Sequence, residues 1–248
     1  MLELYNQPLS TCSRKVRLCM REKGLEWTDR LVDIHKFQHH DPEYLKLNPN
    51  GMIPTLVHDG RAIIESTMIN EYLDDVFPET PLRPRDPYEL AQMRIWNKFI
   101  DDVALPAVIV PTWTKFLANI IKDRFEGSTD EKLNAVPLVE RRETYRRLVA
   151  GEIGEADFKA AHDKLELVFN RLEERLAAGG PWYMGEMFTL SDINSFPYID
   201  RGGAINPAFL DKSEYPNVSA WHAAMLARPS VNADQAILSD ASKPKAGA

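Results

Sequence analysis

Residues 48–56 read Asn48-Pro49-Asn50-Gly51-Met52-Ile53-Pro54-Thr55-Leu56, and Glu65-Ser66 follow nine residues later. Asn-Pro-Asn-Gly is a turn signal. Pro54 directly before Thr55–His58 suits the first residue of a strand, where no ladder donor is lost. Asp59-Gly60 is a two-residue hairpin signal, and Arg61–Ile64 is its returning strand. Glu65-Ser66 then opens a helix with Met68, Ile69, Tyr72, Leu73 and Val76 on one face. Upstream, Leu2–Asn6 reads as a strand broken by Pro8. The cluster Ser10, Thr11, Cys12 and Ser13 stands just before a helical run, Lys15–Lys23, which Gly24 ends. Trp27–Val32 is a second strand and Pro42–Leu47 a short helical piece. The order β-α-β-α-β-β-α defines an α/β unit, residues 1–77.

Four prolines (Pro78, Pro81, Pro84, Pro87) make 78–87 a linker. Beyond it no segment reads as a strand, so 88–230 is expected to be all-helical. The long first helix should kink or break at Pro106 and Pro111. Residues 123–140 are polar and irregular, and Arg141–Val149 reads as a basic, exposed helical piece. Phe158–Leu176 is strongly amphipathic. Thr189-Leu190-Ser191-Asp192 is a capping box, Pro216–Arg228 reads as the last helix, and 231–248 as a C-terminal tail frayed over 239–248.

The chain has 248 residues, 30 basic against 37 acidic, for a net charge of −7. That balance argues against nucleic acid as a partner. No apolar run reaches the length of a membrane span and the N-terminus carries no secretory pattern, so the expected location is cytoplasmic. Cys12 and Cys19 are the only cysteines. On one helix they lie roughly 10 Å apart, beyond disulfide reach. They form neither a redox pair nor a Cys/His zinc pattern, and no metal is expected.

Four local patterns could carry chemistry. Ser10–Ser13 at a helix mouth are either plain caps or an anion seat, because a helix N-terminus offers unsatisfied N–H donors and partial positive charge. A cis Ile53–Pro54 bond would turn the Ile53 N–H and C=O outward to pair with an extended peptide; otherwise the segment is an ordinary turn. Glu65 and Ser66 could hold an ammonium and a carboxylate, or simply start a helix. His39 and His40 are either ligand contacts or solvated loop residues. Apart from these four, in the helical half, Trp113, Phe116 and Tyr145 are either core or an aromatic wall for an electrophile.

These motifs resemble those of the cytosolic glutathione transferases. The matching pieces are residues 10–17 (STCSRKVR), 48–56, Ile63–Leu73, the linker LRPRDP and the TLSD box, and they span about residues 1–228. The resemblance implies a thioredoxin-like N-terminal domain, an all-helical electrophile-binding domain and a homodimer. It implies that glutathione pairs with the backbone of Ile53, beside Met52 and cis-Pro54. Glu65 and Ser66 would hold its γ-glutamyl end, and His39 or His40 its glycyl end. Ser10 or Ser13, with Thr11 and Cys12 beside them, would tune a bound thiolate for attack on a hydrophobic aromatic electrophile. The longer match, Glu65–Glu79 with the linker and Ala91–Lys98, is similar to the bacterial lignin β-aryl etherases of the LigF-like group, which implies ether cleavage. There an asparagine matches Cys12, so this chain departs from that group at the site. Ser-Thr-Cys-Ser also resembles the motif of zeta-type isomerases. A reductase using Cys12, as in omega-type members, and a non-catalytic ligand-binding scaffold are the remaining readings.

Overall fold

A computed structural model describes residues 1–125 and 133–241. Four strands form one sheet: β1 (Leu2–Asn6), β2 (Thr28–Leu31), β3 (Thr55–His58) and β4 (Arg61–Ile63), in the order β2-β1-β3-β4. β1 runs parallel to β2 and antiparallel to β3, with Leu4 opposite Leu56. Leu2, Leu4 and Asn6 point inward in the period of two that a half-buried strand demands. Every residue of β2 is exposed, and its Asp29 and Arg30 guard that edge with charge.

Helix α1 (Thr11–Glu22) packs against α3 (Ser66–Val76). Its N-terminus lies earlier than the apolar spacing predicts. Ser10 is the N-cap and its Oγ accepts from the Ser13 N–H at 3.2 Å, so Thr11, Cys12 and Ser13 belong to the first turn. Between them, α2 (Pro42–Leu45) and two 3-10 turns carry the histidine loop. The Ile53–Pro54 bond is cis. The N-terminal half is therefore thioredoxin-like.

The second half is helical. Asp86 caps α4 (Pro87–Phe99) by accepting from the N–H groups of Tyr88 and Glu89. Neither Pro106 nor Pro111 breaks the helical run beyond α4. A π-helical turn (Ile100–Ala104) widens the helix just before Pro106, and α5 (Leu105–Phe116) runs through Pro111. The sharp bend, 73°, comes at Leu117, before α6 (Ala118–Phe125). Of the stretch expected to be irregular, 126–132 lie outside the described residues. The rest of the half is α7 (Val139–Ala150), α8 (Glu155–Ala177), α9 (Leu190–Ile205), α10 (Pro216–Leu226) and α11 (Pro229–Ala241).

Two expectations are corrected here. Pro216–Arg228 is not the last helix: α11 covers most of the expected tail, because Val231 and Asp234 are buried against α1. Residues 242–248 of that tail lie outside the described residues. The basic segment 141–149 is not a solvated helix either. Tyr145 and Leu148 are buried and Arg141 is half-buried, since one face of α7 packs onto Phe37, Ile121 and Phe125.

One apolar core runs through both halves, from Leu4, Val16 and Leu56 to Trp96, Phe169, Phe196 and Trp221. A second cluster joins Phe37 of the first half to α6 and α7. Among the described residues no single helix is long and apolar enough to cross a membrane.

Candidate active site

The mouth of α1 opens into a cavity of about 760 Å³ between the two halves. Ser10, Thr11, Cys12, His39, Met52 and Ile53 line one side. Val108, Trp113, Phe116, Arg141 and Tyr145 line the other.

At the mouth, the N–H groups of Thr11 and Cys12 have no acceptor among the described residues. Those are the orphan donors of a helix start, left facing a cavity. Ser10 Oγ accepts from Ser13 and keeps its own proton free to donate. Cys12 Sγ sits 3.3 Å from the Tyr198 hydroxyl. Burial, and then the charges of Cys12, Asp101 and Glu65, push the Tyr198 phenol up. Ser13 does not face the cavity. It is fully buried, and its Oγ accepts from the Gln7 N–H at 3.3 Å. Three positions after the cap, its side chain is turned under the strand-to-helix loop.

That loop is held from below. Arg17 donates to the Pro8 carbonyl at 2.9 Å and more distantly to that of Gln7. Arg201 of α9 donates to the Leu9 carbonyl at 3.1 Å. Asp234 of α11 accepts from both Arg14 and Arg17, at 2.8 and 2.7 Å, with all three side chains buried.

Across the cavity floor, Tyr44 and Asn48 both donate to the Met52 carbonyl, at 2.5 and 2.8 Å. The Ile53 N–H and C=O have no partner among the described residues. Gly51 has φ of 59°, and a Cβ there would come within 2.8 Å of the His40 ring. This close approach is why the turn carries glycine. Glu65 and Ser66 sit at the start of α3 outside the cavity lining. Glu65 has φ of 66°, an uncommon conformation for a side-chain-bearing residue, which concentrates at functional sites. Asn50 Nδ2 donates to its carboxylate at 3.3 Å.

His39 lines the cavity, whereas His40 packs over Gly51. Neither is a solvated loop residue. Their rings lie 4.1 Å apart beside Phe37. Burial, then the neighbouring His40 and Arg141, lower the His39 pKa from 6.5 to about 3. Burial, then Arg141 and Arg124, lower that of His40 to about 4. Both are neutral at pH 7. An unfolded chain takes up these protons near pH 6.5 and the folded one only near 3 to 4. Stability is therefore full above pH 6.5 and falls as acid is added through that window, by up to roughly 1.4 kcal/mol per pH unit for each histidine. Urea midpoints measured from pH 7 to 4 should drop less steeply in a His39→Gln/His40→Gln double variant than in the wild type. Parallel curves would count against it.

Trp113 and Tyr145 stack at 5.3 Å, serving as both core and cavity wall, while Phe116 is 58% exposed. The Arg141 guanidinium lies 4.2 Å over the Trp113 ring. Sequence reading missed Arg141, Arg201 and Tyr198. A run of charge looks solvated until its helix is seen from the packed side, and Tyr198 lies 186 residues from Cys12.

A sheet with an anion-receptive helix mouth beside a cis-proline edge, roofed by a helical half, defines a class. Residues 4–81 match the glutathione S-transferase N-terminal domain and residues 102–229 the C-terminal domain. The chain belongs to the glutathione S-transferase family. It is 33% identical to protein LigF of Sphingobium sp. strain SYK-6, over 93% of this chain and 91% of that one. The crystal structure of beta-etherase LigF superposes with a TM-score of 0.86 at 32% identity, covering 95% of this chain and 98% of that chain. A zeta-class glutathione S-transferase of Euphorbia esula is 29% identical over 90% of this chain and 84% of its own length. A Sulfitobacter homologue solved with bound glutathione shares the fold, with a TM-score of 0.69 at 22% identity over 95% of this chain and 97% of that chain.

Proposed function

We propose that this glutathione transferase uses the α1 mouth as a thiolate seat and cleaves β-aryl ethers. The observation that carries the reading is the pair of free N–H groups at Thr11 and Cys12, opening on a cavity with an aromatic wall. Ile53 offers its unpaired N–H and C=O to the cysteinyl backbone of glutathione. Glu65 and Ser66 hold the γ-glutamyl end and His39 meets the glycyl end as a neutral hydrogen-bonding group. A free thiol titrates near 8.5, and lowering it by about two units takes roughly 2.7 kcal/mol. The helix end supplies about 0.3–1, up to ~2 kcal/mol, and a hydroxyl donating to the anion about 1.5–3. Ser10, whose proton is free, is the donor; Ser13 supports the loop instead.

The thiolate attacks the carbon bearing the aryl ether. A C–S bond forms, the C–O bond breaks, and its electron pair leaves with the phenolate, which takes a proton from water. The similarity to LigF favours this over the zeta-like isomerase, the omega-like reductase and the scaffold readings. Incubation with glutathione and a β-aryl ether ketone should release one phenol per glutathione consumed. Product without glutathione loss points to isomerisation, and no turnover with tight glutathione binding points to a scaffold. Ser10→Ala should lower turnover about 10- to 100-fold, the range of one charge-assisted hydrogen bond. Full turnover in that variant would end its role as donor.

The free Cys12 and Cys19 and the use of a reduced thiol suit a cytoplasmic setting. Exposed Met68, Tyr88 and Ile95 on α3 and α4 suit a homodimer contact, which sedimentation would test.

A further inference from the structure

The chain is acidic overall, with a net charge of −7, yet the cavity is not. Its described lining holds Arg141, Arg201 and Lys115 and no carboxylate. Arg201 is engaged, donating to Thr112 Oγ1 and to the Leu9 carbonyl. Lys115 is exposed at the rim, near Phe116. Arg141 differs from both. Among the described residues it makes no ion pair and no hydrogen bond, and its guanidinium lies 4.2 Å over the face of Trp113. The guanidinium is half-buried with no carboxylate beside it, so its charge and its N–H donors stay available to an anion, and partial burial lowers its pKa. It lies near enough to the α1 mouth for the Cys12 thiol to act on it electrostatically.

Resting on the ether-cleavage reading, we infer that Arg141, stacked on Trp113, receives the oxyanion of the departing phenolate. An aryl group lying along the Trp113–Tyr145 wall, whose rings are 30° from parallel, would bring its oxygen towards this charge. Negative charge grows on that oxygen as the C–O bond breaks, so a fixed cation there favours the transition state over the neutral ether. The planar fork of arginine can donate while its face remains on the indole.

Leaving-group dependence tests this. Ethers of methoxyphenols, which are poor leaving groups, should lose about 10- to 100-fold in kcat/KM in Arg141→Met. Ethers of nitrophenols, whose anions need little help, should lose no more than about threefold. Arg141→Lys should fall between. Free 4-nitrophenol gives a readout without turnover. Bound to the wild type it should ionise about one unit below its value in water, and bound to Arg141→Met it should not. Equal losses across the series, or an unshifted nitrophenol in the wild type, overturn the assignment. A variant that only raises the KM for glutathione also overturns it and gives Arg141 to the glycyl carboxylate, since its charge reaches His39 and His40 too. Failure of the wild type to release any phenol overturns the ether-cleavage reading instead, and the nitrophenol titration then decides Arg141 alone.

Discussion

Asp192→Ala should be the most destabilising single change in the helical half, costing about 4–5 kcal/mol. The carboxylate is fully buried. One oxygen accepts from the Tyr183 N–H and the Trp221 indole N–H, both at 2.9 Å. The other accepts from the Thr189 N–H at 2.9 Å and faces its hydroxyl at 3.3 Å. Alanine would strand three N–H donors, two on buried residues and one on the half-buried Tyr183, each worth about 1–3 kcal/mol when unsatisfied, and close neighbours do not add fully. For a chain of this size, each kcal/mol lowers Tm by roughly 2–4 °C, so calorimetry should read a fall of about 10–15 °C. Asp192→Asn keeps one acceptor oxygen and should lose about half as much. A change under about 1 kcal/mol would mean that the Thr189 box is not what fastens α9 to α10.

Asp234→Ala acts at the other end of the chain and should damage both stability and the site. It leaves Arg14 and Arg17 buried without their shared partner. Breaking a buried pair from one side costs about 3–5 kcal/mol. Arg14 retains Asp200 at 2.8 Å, so the heavier loss falls on Arg17, which also holds the Pro8 carbonyl. Once Arg17 moves, the loop before Ser10 loses the Arg17 hydrogen bonds and keeps that of Arg201 to the Leu9 carbonyl. Glutathione titrated calorimetrically should bind about 10-fold more weakly, equivalent to roughly 1.4 kcal/mol. A chain ending at Arg228 should show the same two defects. Wild-type stability in that truncated chain would refute the role given to α11.

The sheet was legible because its signals are local. Asp59-Gly60 sets the hairpin, and Leu2, Leu4 and Asn6 alternate as the structure alternates them. The capping box at Thr189 is likewise a matter of four adjacent residues. What escaped were features that depend on helix phase or on distant partners. Ser13 has the same chemistry as Ser10, and only its place in the first turn hides it. The last helix has a weakly apolar face, with Val231 and Asp234 its main buried positions. Asp234 looks like a surface acid until Arg14 and Arg17, 220 and 217 residues away in sequence, are seen beside it. Similarly, a chain read alone does not reveal that Trp113 lies under Arg141.

The support beneath residues 7–9 bears on how such proteins diversify. On the proposed reading, the sheet half is the platform for the thiol and the helical half the wall for the electrophile. Here the platform is finished by its attachment: Arg201 grips Leu9 from α9, and Asp234 reaches Arg14 and Arg17 from α11. A chimera that imports a foreign helical half would need those two side chains at matching positions. Without them it would inherit a new pocket while losing the support of the proposed sulfur seat. Any such exchange is therefore constrained where α9 and α11 meet α1 and the loop before it.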